Sequence, residues 1–277
     1  MVSRYFVWFI LFSFIGWVFE SIFCMIKHHG WKMRGFLFGP ICPIYGCGCV
    51  LAIIVCSGEI LPEMANWQIF ILCFLGSMVL EYVTSYVLEK VFHAIWWDYS
   101  DVPLNIHGRV CIPAALGFGV GGLFVVHALL PFAQWLTGSI PNAVMELFAL
   151  LLMAVLGADL ALTVSALTSL LQNVQNIEAT VNKQMEEFYA SIEDSFKEKK
   201  QMMLDKREEL MAKAVERSSS VMNLSQRNEL KKIKEFRLKG SGTKIMTQLR
   251  TKVSSLRSKS EDMHETMPDR NGSDNGN

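Results

Sequence analysis

An all-α polytopic membrane protein is the fold class this sequence predicts. It has about five transmembrane helices, N-terminus outside and C-terminus inside, and a long cytoplasmic C-terminal helical tail. Three observations carry the expectation. Hydrophobic residues make up 51% of the 277-residue chain, and almost all of the apolar content lies between residues 5 and 170. Within that region five stretches are long enough to cross about 30 Å of hydrocarbon at about 1.5 Å per residue. Beyond it the chain turns polar: 20 of its 26 Lys and Arg and 17 of its 26 Asp and Glu follow residue 170. The expected division is a transmembrane domain over 1–170, a helical or coiled-coil tail over 171–259 and a disordered end over 260–277.

The first stretch, 5–26, is too long for a cleavable signal and is followed by no small-residue cleavage site, so it reads as a retained span. It contains Glu20, an acid at membrane depth. The second, 36–57, opens on RGFLFGPICPIYG from Arg34. Pro40 and Pro43 remove backbone donors there, and Tyr45 follows them. Broken helix starts of this kind line substrate or ion sites, a packing kink being the plainer reading. The third, 67–89, carries Glu81. A carboxylate at membrane depth costs roughly 2.5–3.5 kcal/mol on insertion scales and usually faces a protein interior or a water-filled cavity. Two such acids predict a polar site between helices.

From Glu81 a polar stripe runs out of the membrane. Glu81, Ser85, Glu89 and His93 recur every four residues, which places them on one helix face. Tyr82 flanks the stripe, and Trp97, Asp98, Tyr99, Asn105 and Arg109 follow in the next connection. Arg34 and Arg109 are the expected partners of Glu20, Glu81 or Glu89. The rival readings are a structural ion-pair network and a ligand or ion site. The fourth stretch, 111–135, begins on GRVCIPAALG and repeats the Arg–Cys–Pro entrance of the second, which suggests a parallel internal repeat. The fifth, 143–170, contains Asp159 and is long enough to project from the membrane.

Orientation follows from Lys and Arg placement. Lys27, Lys32 and Arg34 occupy the first connection, and Lys90 and Arg109 the third. The second and fourth carry none. Trp8, Trp31, Trp67, Trp96, Trp97 and Trp135 near span ends read as interfacial belts. The tail lacks Gly from 158 to 239 and Pro from 142 to 267, which predicts a long helix continuing from the fifth span. Val174, Ile177, Val181, Phe188 and Ile192 form its apolar stripe, interrupted by Gln184, and SSS at 218–220 reads as a break. Residues 231–259 hold ten basic residues against Glu235 alone, either a face for anionic lipid or a solvated one.

Seven Cys lie in or beside apolar stretches without zinc-site spacing, so they read as small packing residues. The sequence holds no HExxH, GxSxG or phosphate-binding loop. It calls for no catalytic residue, no cofactor, no metal and no nucleic acid. The expected partners are the lipid bilayer and a second copy of the chain through the C-terminal helix. A membrane-embedded enzyme acting on lipid is the least favoured function, after a transport component and a scaffold or sensor acting through the tail.

The runs GWVFES, RGFLFGPICPIYG, EYVTSYVLEKVFHAIWWDYS and NIHGRVCIPAALGFGVGG resemble the bacterial ABC transporter type IV (CmpB-like) permeases over residues 5–170. EFRLKG resembles that family's usual C-terminal stretch more loosely. The resemblance implies a multi-pass protein of the bacterial cytoplasmic membrane, with a permease role. It also implies a separate ATP-binding subunit, because this chain has no nucleotide-binding motif. The WWDYSDVPLN connection is the expected docking segment.

Overall fold

A computed structural model describes residues 2–28, 35–56, 64–190, 196–238 and 241–265. Among the described residues it is all-α, with four two-residue strands. Helices α1 (Val2–His28), α3 (Asn66–Phe92) and α6 (Asn142–Ala190) are single continuous helices. The fourth stretch is α4 (Ile112–Phe124), a π-helical turn over Val125–Leu129, and α5 (Leu130–Gly138). Pro131 lacks the N–H that an α-helix would offer to His127, and the turn before it widens to absorb the loss. By length and composition, α1, α3, the 112–138 rod and α6 can each cross a membrane.

The second stretch differs from the expectation. Its helix, α2, covers only Pro43–Cys56, about 21 Å of rise. Residues 35–42 are not helical, since Gly39, Pro40 and Pro43 withhold the side chains and donors a helix start requires. Ile41 N–H instead bonds Gly39 O at 2.8 Å, and Cys42 N–H bonds Ser13 O of α1 at 3.0 Å. Irregular backbone at membrane depth survives only where protein satisfies it.

The chain divides into two compact units. The first comprises 1–168 together with 232–237. Its helices alternate in direction. At one end a core of Trp8, Phe12, Ile53, Val125, Leu130 and Ala133 joins the start of α1, the end of α2 and the 125–133 turn. Trp8 Nε1 donates there to Thr137 Oγ1 at 3.1 Å, and Asn66 at the start of α3 meets His127. Glu20, Tyr45, Glu81 and Arg109 gather at the opposite end. Hence α1 and α3 run parallel, and α2 returns the chain between them. Close approach within the helix pairs depends on glycine. A Cβ on Gly16 would stand 2.4 Å from the Tyr45 side chain, and one on Gly122 would stand 2.3 Å from Cys73 Sγ.

Two tryptophans expected at the membrane interface are core residues instead. Trp8 and Trp96 are buried, whereas Trp67 and Trp135 are exposed near helix ends. Trp31 lies outside the described residues.

The second unit comprises 169–231 and 238–277. It contains the end of α6, α7 (Phe196–Val221), α8 (Leu224–Lys232, ending at the unit boundary) and α9 (Gly242–Glu265). α7 packs on α9 through Met211, Val215, Ile245, Met246, Leu249 and Val253. Lys244–Glu208 and Lys252–Glu216 pair across them, each at 2.9 Å. The apolar stripe of α6 is buried within this unit at Val174, Ile177 and Val181, and Met185 continues it past Gln184. The Ser218–Ser220 run is helical, and the break falls at Met222–Asn223. Residue 192 lies outside the described residues, as do 191–195, where the expected continuous tail helix would pass. α9 extends to Glu265, into the segment expected to be disordered, and residues 266–277 are not described.

Candidate functional site

The site is built from four segments of the first unit. α1 supplies Glu20, α2 supplies Tyr45, α3 supplies Glu81, and the connection between α3 and α4 supplies Tyr99. Tyr45 OH donates to Glu20 Oε1 at 2.5 Å, and Tyr99 OH donates to Glu81 Oε1 at 3.1 Å. Each membrane acid is therefore met by one phenol. Glu81 is only 6% exposed, and its Oε2 has no hydrogen-bond partner among the described residues. Burial pushes the Tyr99 phenol well above its ordinary range, with Glu81, Cys111 and Glu20 adding to the effect. Tyr99 thus lies in the field of both acids. Phe19 and Phe118 approach the Tyr45 ring, with centroids 6.3 and 6.0 Å away.

Arg109 does not pair with either membrane acid. Its Nη2 forms an ion pair with Glu89 Oε2, and its Nη1 donates to Ser85 Oγ at 3.2 Å. The guanidinium also lies over the rings of Tyr82 and Tyr86, at 5.7 and 5.5 Å. The polar stripe of α3 is consequently divided. Glu81 and Ser85 are buried, Glu89 is half-buried and ion-paired, and His93 is exposed. His93 ends the helix in the left-handed conformation, φ 50°, with its N–H bonded to Glu89 O at 2.8 Å. It joins the site through its backbone, not its ring. Among the described residues no group of three or more His, Cys, Asp and Glu is placed to hold a metal.

The connection from residue 94 to 111 is locally over-determined. β2 (Asn105–Ile106) and β3 (Val110–Cys111) form a hairpin. His107 and Gly108, the central residues of the turn closed by Arg109 N–H to Ile106 O at 3.0 Å, both have positive φ, 53° and 67°, as a primed turn requires. Asn105 is structural: Nδ2 donates to Val102 O at 2.8 Å, and Oδ1 accepts from Gly108 N–H at 3.0 Å. Trp97 Nε1 donates to Arg109 O at 3.0 Å, and Tyr99 N–H donates to Gly108 O at 2.8 Å. These bonds fix Tyr99 against Glu81. Tyr82 OH is 3.2 Å from His107 Nδ1.

Asp159 of α6 serves another part of the site. Its two oxygens accept from Phe38 N–H and Gly39 N–H, each at 2.9 Å. It satisfies the backbone that Pro40 and Pro43 keep out of helix. Arg34 lies outside the described residues.

The sequence reading missed a strap from the tail. Residues 232–237 belong to the first unit. Phe236 and Glu235, as β4, pair antiparallel with Ala94 and Ile95 of β1. Lys234 N–H bonds Ile95 O and Arg237 N–H bonds His93 O, both at 2.7 Å. Lys232 Nζ donates to Leu37 O at 2.6 Å, Lys234 pairs with Asp98 at 3.2 Å, and Arg237 pairs with Glu89 at 3.0 Å. Glu89 is thereby held between Arg109 and Arg237. These three cations, read as lipid-facing or solvated, bind the chain's own carbonyls and acids. The available signal was the EFRLKG run. Ser85, Glu89, Trp97, Asp98, His107, Arg109 and Arg237 line a small polar cleft under the strap.

The family profile described as Putative ABC-transporter type IV matches residues 7–164, more than half of the chain. Neither the curated proteins nor the solved structures gave a match. The matched span contains both membrane acids, both phenols, Arg109 and Asp159, and ends before the strap.

Proposed function

The chain belongs to the ABC-transporter type IV family, a transport-related membrane family, and on that premise we propose that it is the membrane-spanning component of a transport system. The site is proposed to act as a polar centre on the substrate path, at the cytoplasmic end of the helix cluster. One observation carries this reading. Glu81 is buried between helices with one oxygen bonded by Tyr99 and the other unpartnered among the described residues. A brace between helices would have both oxygens satisfied, because an unmade bond to a buried charge costs about 1–3 kcal/mol or more. A site that receives something leaves an acceptor open.

The system is proposed to operate in the bacterial cytoplasmic membrane with a separate ATP-binding subunit. No phosphate-binding loop occurs in this sequence, which supports assigning ATP hydrolysis to a separate subunit. Leu104 and Ile106, 68% and 42% exposed on the α3–α4 connection, offer apolar contact area for that subunit. Leu104 also has φ 57°, an uncommon conformation for a bulky residue that suits a displayed side chain. Photo-cross-linking from position 104 in native membranes tests the reading. The expected product joins the chain to a protein bearing a nucleotide-binding motif. Recovery of no such partner from positions 104 and 106 would count against the transport reading.

A further inference from the structure

We propose that Glu20 and Glu81, with the hydroxyls of Tyr45 and Tyr99, hold one small monovalent cation, an alkali ion or a proton, inside the membrane domain. The proposal rests on the reading of this cluster as a polar centre, but binding is separable from transport. Three observations support it. The Glu81 oxygen that faces no donor belongs to a side chain more than nine-tenths buried. A second carboxylate, Glu20, shares its neighbourhood, since both act on Tyr99. Among the described residues, no Lys, Arg or His hydrogen-bonds or ion-pairs with either acid. Arg109, Lys234 and Arg237 are engaged by Glu89 and Asp98, and Lys232 by Leu37 O.

A buried carboxylate beside a half-buried one, with no cation bonded to either among the described residues, is costly, because desolvation penalises Glu81 and mutual repulsion penalises the pair. One added positive charge relieves both terms. The donor set is all oxygen, which suits a hard ion or a proton and not a soft metal. Among the described residues Cys42 before α2 and Cys111 before α4 also act on the two phenols, and Arg109 beyond Ser85 is taken by Glu89. The two thiols carry no positive charge. Phe19 and Phe118 flank the Tyr45 ring that bonds Glu20. Gly16 lets Tyr45 lie against α1, where its hydroxyl reaches Glu20.

The test uses the full chain in lipid nanodiscs. Thermal unfolding is followed at pH 8 while sodium chloride replaces choline chloride at constant ionic strength, and again between pH 8 and pH 5 without sodium. A ligand of the folded state raises the melting temperature by mass action. An upward shift of about 3 °C or more in one series is expected, and it should vanish in Glu81→Gln and Glu20→Gln. A sodium-dependent shift identifies the alkali ion, and a shift on acidification alone identifies the proton. Tyr45→Phe and Tyr99→Phe keep ring packing and remove one hydroxyl each. They should move the half-maximal concentration or pH by about threefold or more, and they carry the test where a Gln variant does not fold. Exposed Glu146→Gln should respond as wild type does. Wild type unresponsive in both series, or equal responses in wild type and the Gln and Phe variants, would overturn the proposal. A cation response without a nucleotide-binding cross-link would keep the site and remove the ATP-driven reading.

Discussion

At the scale of single residues, the acids of the membrane domain differ by what meets them. Glu89 is held by two arginines, Asp159 by two backbone N–H groups, and Glu20 and Glu81 by one phenol each. Arg109 is the residue on which the outer half of this arrangement turns. It combines a carboxylate, a hydroxyl and two aromatic faces, and a lysine offers neither the planar fork nor the stacking surface. Arg109→Lys should therefore destabilise the protein by about 1–3 kcal/mol. A double-mutant cycle with Glu89→Gln should give a coupling of about 0.5 kcal/mol or more. Strict additivity would show that the pair contributes nothing, as many exposed pairs do.

Asp98 gives a pH-dependent counterpart. The Ser100 hydroxyl, then the Ser100 N–H and Lys234, hold its carboxyl below the usual range against partial burial. A folded value below the unfolded one means stability present above about pH 4 and lost as pH falls through the folded value. Asp98→Asn should thus melt below wild type at pH 7. The gap should close on acidification below about pH 4. A gap of constant size across that range would show that ionisation of Asp98 contributes nothing to the fold.

At the scale of elements, helix-pair approach sets the architecture. Gly122 of α4 faces Cys73 of α3, whereas nothing lies within 4 Å of a Cβ placed on Gly76 of α3. The two glycines share a helix pair but not a role. Gly122→Ala should cost about 1–3 kcal/mol through overpacking. Gly76→Ala should be neutral or stabilise by up to about 1 kcal/mol, since alanine is the better helix former. Thermal melting of the two variants in the same lipid decides it, and equal losses would show that glycine at these positions is not a packing device. Much of this level was legible in the sequence. Length and apolar continuity gave the long helices, and the Gly39, Pro40 and Pro43 run marked the broken start of α2. The four-residue spacing from Glu81 to Glu89 gave one polar face. His93 broke the pattern because its backbone turns left-handed at the helix end, which side-chain periodicity does not register. The strap escaped notice for a different reason. Its pairing with β1 joins residues roughly 140 positions apart, and two-residue strands leave no alternation to read.

At the scale of the whole chain, orientation follows from helix direction together with charge. α1 and α3 end on the same side, as shown by the meeting of Glu20, Tyr99 and Glu81, so α2 has to carry the chain back between them. Its 14-residue helix is shorter than the hydrocarbon core,. The irregular segment over 35–42, bonded to Ser13 O and to Asp159, precedes it. We infer that α2 adds a fifth pass to the four helices long enough to cross, which would put residue 2 and the strap on opposite sides. Lys27, Lys90 and Arg109 fall at the shared end of α1 and α3, where the strap residues Lys232, Lys234 and Arg237 also lie. Positive residues on one side mark that side as cytoplasmic. A Cys-depleted chain bearing single cysteines at position 2 and at Ser220 should therefore react with a membrane-impermeant maleimide at position 2 only in intact cells, and at both after lysis. Labelling at Ser220 in intact cells would invert the topology, and labelling of neither or both before lysis would mean that α2 does not cross. That last result would also separate Glu20 from Glu81 by the membrane, although Tyr99, bonded to Glu81, lies in the field of both acids.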